Sequence, residues 1–276
     1  MSGQQNFTEG NIRRLAYQAL IEIDPLSKKT LVDKIESSIS YDDFFIQDPS
    51  TQDICESLVP GRPQHPQLVN PLLVKKRSMH TIEGRAIAIH ALAHIEFNAI
   101  NLALDAVWRF SDMPDQYYLD WLRVAQEEAK HFFMLKNHLK TLGYDYGIFP
   151  AHDSLWEMVE KTKGDILARM ALVPRTMEAR GLDAVPLIRA RFLQAKDIEM
   201  VNILDIILQD EIGHVEIGNR WFNYLCRDRK VEPIPTFKLL CTVYNAPHLR
   251  GPFNIQARKQ AGFTDAEIDF LQDNHS

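Results

Sequence analysis

The amino-acid sequence predicts an all-α protein built round a four-helix bundle, with an N-terminal extension and a short C-terminal helical tail. Three observations carry this expectation. Apolar residues recur at three- and four-residue steps through four long stretches. No convincing strand separates them. The 276 residues include only 12 glycines, few for an all-β chain that must turn every ten residues or so.

Asn11 to Ile23 reads as a short helix with Leu15, Ala19 and Ile23 on one face, and Leu31 to Ile39 as a weaker second one. Pro49, Pro60, Pro63, Pro66 and Pro71 then forbid a regular helix and predict an extended crossing segment. Leu58, Val59, Leu68, Val69, Leu72 and Leu73 are expected to hold it on the main body. The first long helix begins near Ile82 and ends near Met113-Pro114, with Ala88, Leu92, Ile95, Ala99, Ala103, Ala106 and Phe110 as its stripe. The second spans about Asp115 to Leu142, with Leu122, Ala125, Phe132, Leu135 and Leu139 inward and Gly143 as its C-cap. A third runs from Ser154 to about Ala179, kinked at Pro174 and closed by Gly181. A short piece, Val185 to Ala195, leads into the fourth, Asp197 to Cys226, whose stripe is Val201, Leu204, Leu208, Val215, Phe222 and Leu225. The tail carries Pro233, Pro235, Pro247 and Pro252, then a terminal helix over Thr264 to Gln272 that opens on a Thr264/Glu267 capping box. The chain thus divides into an extension (1–76), a bundle (77–230) and a tail (231–276).

Carboxylates interrupt the apolar stripes. Glu96 lies four residues after Leu92 and three before Ala99, a spacing that points it inward. Glu128, three after Ala125 and four before Phe132, begins a Glu-x-x-His motif with His131. Glu211, three after Leu208, begins a second with His214. Ionised carboxylates in an apolar core need compensating cations. Glutamates joined with neutral imidazoles at i, i+3 can share a metal ion, and a bundle with two such motifs and one Glu from each remaining helix matches the rule for dinuclear carboxylate sites. Glu178 is the candidate on the third helix. The interval from Glu96 to Glu128 is 32 residues (128 − 96) and from Glu178 to Glu211 it is 33 (211 − 178), so each helix pair delivers Glu and then the motif at nearly one spacing. Glu127 competes with Glu128 through a one-residue phase slip, and Glu157 or Glu160 with Glu178.

Other residues have plainer readings. His90 and His94 form a surface or boundary pair, with His94 open to a supporting contact at the metal site. His138 is the next residue down a face, and Glu199 faces solvent. Trp108, Trp121, Tyr117, Tyr118 and Trp221 belong to core or rim. Arg175 and Arg180 flank Glu178 and either pair with it, bind an anionic substrate group or lie on the surface. Cys55, Cys226 and Cys241 form no CxxC and read as buried and inert in a reducing compartment. The balance of 31 basic against 37 acidic residues, net −6, disfavours a dedicated nucleic-acid binder. With no apolar leader and no run of about 18 apolar residues, the expected location is the cytoplasm, with no membrane partner.

Several segments, HALAHIEFNAINLALDAVWRF, EEAKHF, ARMALVPRTMEARGLD and LQDEIGHVEIGNRWF, with PGRPQHPQLV upstream and RGPFNIQARKQAGFT downstream, resemble a bacterial ferritin-like family, domain of unknown function 455. The resemblance covers most of the chain. It implies the ferritin-like di-iron superfamily, kinship with MiaE-type tRNA hydroxylases, and Glu96, Glu128, His131, Glu178, Glu211 and His214 as ligands. Hard oxygen donors with two imidazoles favour two ions of iron, or of manganese, over zinc or copper. The expected function is an oxygen-dependent oxidoreductase or hydroxylase taking a small-molecule substrate and dioxygen. Metal binding or iron handling without an organic substrate is the alternative. A tRNA partner is suggested only by the neighbouring hydroxylases, and the charge lends it no help.

Overall fold

The computed structural model describes residues 11–40, 46, 55–73 and 78–273, and these are helical with no strand longer than an isolated bridge. Pro49 lies outside the described residues. The chain divides into two compact units, Met1–Lys75 with Ala86–Asp153, and Lys76–Arg85 with Ser154–Ser276.

In the first unit, Asn11 caps helix α1 (Ile12–Ile21) by accepting from the Arg13 and Arg14 amides. Ile12, Ala16, Ala19 and Leu20 form its buried face, and Ile23 lies beyond its end, exposed. Its orphan C-terminal carbonyls have two partners. The fully buried Lys28 ammonium of α2 (Pro25–Ser40) donates to the Ala19 and Leu20 carbonyls (2.8 and 2.9 Å), and the Gly61 amide donates to Leu20 (2.8 Å). A side chain at position 61 would collide with the Ile21 carbonyl, so only glycine fits there. Arg13 donates to the Trp108 carbonyl at the end of α3 (Ile82–Arg109). Tyr117 and Tyr118 of α4 (Asp115–Thr141) do the same for the Ala106 and Phe110 carbonyls. Helix α4 ends in a left-handed Gly143, whose amide and that of Tyr144 satisfy the last carbonyls.

The proline-rich segment carries short 3₁₀ turns, Glu56–Leu58 and Pro71–Leu73. Contrary to expectation its leucines do not anchor it: Leu58, Leu68 and Leu73 are exposed, and Leu72 is 92% exposed. Instead Arg62 pairs with Asp153 (2.7 Å), and residues 67–69 exchange backbone bonds with Ala151. The stripe read on α3 is also out of phase at its N-terminal half. Ile95 is 42% exposed, whereas Ala86, Ile89, His90, Ala93, Phe97 and Ile100 are buried. Helix α3 is long and apolar enough to cross a membrane by length and composition, and 72% of that stretch is buried inside the molecule.

In the second unit the third long helix is broken. Helix α5 (Ser154–Lys161) stops, Asp165 caps α6 (Ile166–Leu172), and residues Val173–Glu178 form a π turn that runs directly into α7 (Ala179–Gln194). Pro174 has no amide to donate, so one bond of the α ladder is lost there; the Ala179 amide reaches five residues back to the Pro174 carbonyl, and the Thr176 hydroxyl takes the Ala171 carbonyl (2.8 Å). The proline thus sits in a widened turn, and Gly181 lies inside α7 and closes nothing. Helix α8 (Ile198–Asp228) starts at the Asp197 cap and comes close to the π turn at Gly218, where a Cβ would meet the Pro174 ring. Alanine in a helix is normally better than glycine by about 1 kcal/mol. Gly218→Ala is nevertheless expected to destabilise the protein by about 1–3 kcal/mol through overpacking, measurable by urea denaturation.

Prolines of the tail start helices as well as ending them. Pro233 opens α9 (Pro233–Val243), Asn254 caps α10 (Ile255–Gln260), and α11 (Asp265–Asp273) opens on the Thr264/Glu267 box. The first two helices were not foreseen. Arg175 of the π turn is buried among the Phe222, Phe237 and Phe263 rings and donates to Asn219 (2.6 Å) and Glu267 (2.5 Å). That pair fastens the tail to the π turn.

Candidate metal centre

Helix α3 carries Glu96 inward between buried Ala93 and Ile100, and α4 carries Glu128 and His131 one turn apart on its buried face. His131 Nδ1 lies 3.3 Å from Glu128 Oε2 and 3.4 Å from Glu96 Oε2. Ligand atoms of the three side chains all fall within 4.8 Å of one another, and all three residues are buried. Ions that take oxygen and nitrogen donors at about 2.0–2.2 Å place adjacent donors roughly 3 Å apart, so the set fits one cation with little adjustment. Electrostatics agree. Burial, and then the neighbouring Glu128 charge, push the Glu96 carboxyl up to about 8, since two carboxylates cannot both ionise cheaply in a dry core. A divalent cation reverses that repulsion.

In the second unit α8 holds Glu211 and His214 on its buried face, Oε2 and Nδ1 3.9 Å apart. Glu178, last residue of the π turn, is also buried. Of the competing carboxylates, Glu127 lies on the more open side of α4 beside Arg123 (3.1 Å), Glu157 is exposed, and Glu160 pairs with Lys163. Glu199 is exposed.

Other expectations need correction. His90 and His94 are not at the surface: both are buried against Tyr146, because the buried face of α3 includes them. His138 is buried too; the five tryptophans and tyrosines singled out above are core residues, in line with the expectation. Arg175 is ion-paired to Glu267, and Arg180 is exposed. Cys55 is exposed, and hydrogen bonding from Ser57 lowers its thiol, whereas burial raises Cys226 and Cys241 to about 11.

A profile of the family described as a protein of unknown function, DUF455, matches residues 22–269. The chain belongs to that family. It is 52% identical to an uncharacterized protein of Haemophilus influenzae over 216 residues, 76% of this chain and 75% of the relative. No solved structure matches.

One group in this DUF455 member escaped the sequence reading. Tyr146, from the loop after α4, hydrogen-bonds His94 Nδ1 (2.8 Å), and Asn98 bonds the other ring nitrogen (3.3 Å). The signal was present as His90, His94 and Asn98 at four-residue steps, one face of α3.

Proposed function

We propose that the chain is a dinuclear metal-carboxylate protein of ferritin-like, four-helix type, and that it is an oxygen-dependent oxidoreductase acting on a small organic substrate. Glu96, Glu128 and His131 supply one half of the ligand set; Glu178, Glu211 and His214 supply the other. The observation that carries the reading is the buried Glu96–Glu128–His131 cluster, two carboxylates and an imidazole in contact within an apolar core. Repetition of Glu followed by Glu-x-x-His at 32 and 33 residues supports the second half. Oxygen-rich donors suit iron or manganese.

Such ions, when bound, supply the electrons that reduce dioxygen. The protein's own part is to bind, orient and exclude water. Helical spacing presets each Glu/His pair, so little side-chain freedom is lost when an ion enters. Phe97 and Phe132, the chain neighbours of Glu96 and His131, meet at a tilt with ring centroids 5.6 Å apart and keep the surroundings apolar. Low polarity there strengthens every charge interaction of the carboxylates.

Metal analysis and oxygen uptake test this reading. About two iron or manganese ions per chain are expected. Glu211→Ala and His214→Ala should each lose one ion while keeping the helical circular dichroism signal. Unchanged stoichiometry in both variants would refute the ligand assignment. Oxygen consumed only in proportion to added ferrous iron, whatever organic compound is present, would sink the oxidoreductase in favour of iron handling.

A further inference from the structure

The first unit contains a pocket of about 310 Å³ whose lining includes Arg62, Pro63, Pro66, His94, Phe97 and Tyr146. Its polar wall has a defined direction of hydrogen bonding. The Asn98 amide nitrogen reaches both Asp153 Oδ1 and His94 Nε2 (3.3 Å each), and a carboxylate can only accept, so this nitrogen is the donor. Its two hydrogens match its two partners. His94 Nε2 therefore accepts, and the ring proton sits on Nδ1, which donates to the Tyr146 oxygen at 2.8 Å. Tyr146 receives that bond as an acceptor, which leaves its own O–H to donate elsewhere, on a side chain that lines the pocket. Arg62 adds a guanidinium to the same lining, partly balanced by Asp153 Oδ2 at 2.7 Å. The rest of the lining mixes the Phe97 and Tyr146 rings, with centroids 6.0 Å apart, Leu68 and two prolines with the amides of Gln64 and Gln67.

We propose that this pocket binds a small organic carboxylate with a flat apolar body, its oxygens taking the Tyr146 O–H and the Arg62 guanidinium and its body lying on Phe97 and the prolines. The volume is at the lower end of the roughly 300–1,000 Å³ usual for small-molecule sites. Pairing of a planar guanidinium with a carboxylate gives direction as well as charge. A donor hydroxyl and a cation on one wall select an anionic acceptor over an amine or an alcohol. The site is complete within the first unit and does not depend on the metal reading, although Phe97 follows Glu96 directly in the chain.

Titration calorimetry with benzoate as the probe, and benzyl alcohol as a control of like body, tests the proposal on the full chain. Benzoate is expected to bind saturably and benzyl alcohol about tenfold more weakly. Tyr146→Phe and Arg62→Gln should each weaken benzoate by about fivefold or more and leave benzyl alcohol unchanged. Should Arg62→Gln fail to fold, Arg62→Lys replaces it, keeping the charge but losing the fork, with the same direction of change. Chelation of metal should leave benzoate affinity unaltered. No saturation at millimolar benzoate, or equal affinity in both folded variants, overturns the proposal. So does loss of binding on chelation, which would put the carboxylate on the metal; failure of the metal reading alone would leave the benzoate results as expected.

Discussion

Metal-free protein carrying Glu96→Gln is expected to gain stability over the unaltered metal-free chain as pH rises from about 5 to about 8. With its carboxyl pushed up to about 8 by burial and by Glu128, folded Glu96 holds a proton that the unfolded chain releases near 4.5. Stability from this group is full below the unfolded value and is lost as pH climbs toward the folded one. Glutamine mimics the protonated form at every pH, so the difference between variant and parent should grow across that window by on the order of a few kcal/mol. Other buried groups act in the opposite direction. Burial lowers His90 to about 4, His94 to about 3 and Lys28 to about 7, so their contributions rise with pH. They are common to both proteins and cancel in the difference. Addition of ferrous or manganous ion should invert the order, because only the parent then has its full ligand set. A ligand at a hundred times its dissociation constant adds about 2.7 kcal/mol to the native state. Urea denaturation at several pH values, with and without metal, measures both effects, and a difference flat across pH would contradict the account of Glu96.

Glu267→Ala is expected to cost about 3–5 kcal/mol, because it strands the Arg175 guanidinium among three phenylalanine rings with Asn219 as its remaining acceptor from this pair of bonds. Burial raises the Glu267 carboxyl, but Arg175 and the Thr264 bonds outweigh it and hold it below its ordinary range. The carboxylate's contribution is thus present above the unfolded value and is lost on acidification through the folded one. The same substitution removes the Glu267 half of the α11 capping box. Hydrogen exchange should show amide protection falling first over residues 255–273. Replacing the pair together, Arg175→Met with Glu267→Leu, should recover most of the loss, since burying two apolar side chains avoids the desolvation of two charges. If the double variant is as unstable as Glu267→Ala, the buried pair is not the reason for the cost.

Helices α3, α4 and α8 were legible because their apolar spacing extends over many turns, and the two Glu-x-x-His motifs because i, i+3 spacing carries both side chains to one face. The boundaries at Gly143 and Thr264 were legible from capping chemistry. The phase of α3 was not. Beyond Glu96 that helix is buried nearly all round, so a narrow stripe describes it poorly, and His90 and His94 were assigned to the wrong side. Pro174 was visible as an interruption, yet the π turn it sits in depends on distant partners. Here the Thr176 hydroxyl donates to the Ala171 carbonyl and Gly218 leaves room for the ring. No helix was expected at Pro233, yet it starts α9, since a first-turn proline loses no hydrogen bond. Tyr146 was missed because a loop brings it to α3 from about fifty positions away, a distance that no periodicity spans.

The π turn also makes chain length a variable with consequences of its own. A wide turn accommodates a residue that an α-helix would not, and one residue on a helix is about 100° of rotation. A single deletion between positions 173 and 177 would let the segment close into an ordinary ladder, yet it would swing Glu178 and all of α7 by roughly that angle relative to α6. Substitutions that preserve volume can be absorbed here; insertions and deletions cannot. Among relatives of this chain, segment length between Leu172 and Glu178 should therefore vary less than residue identity does.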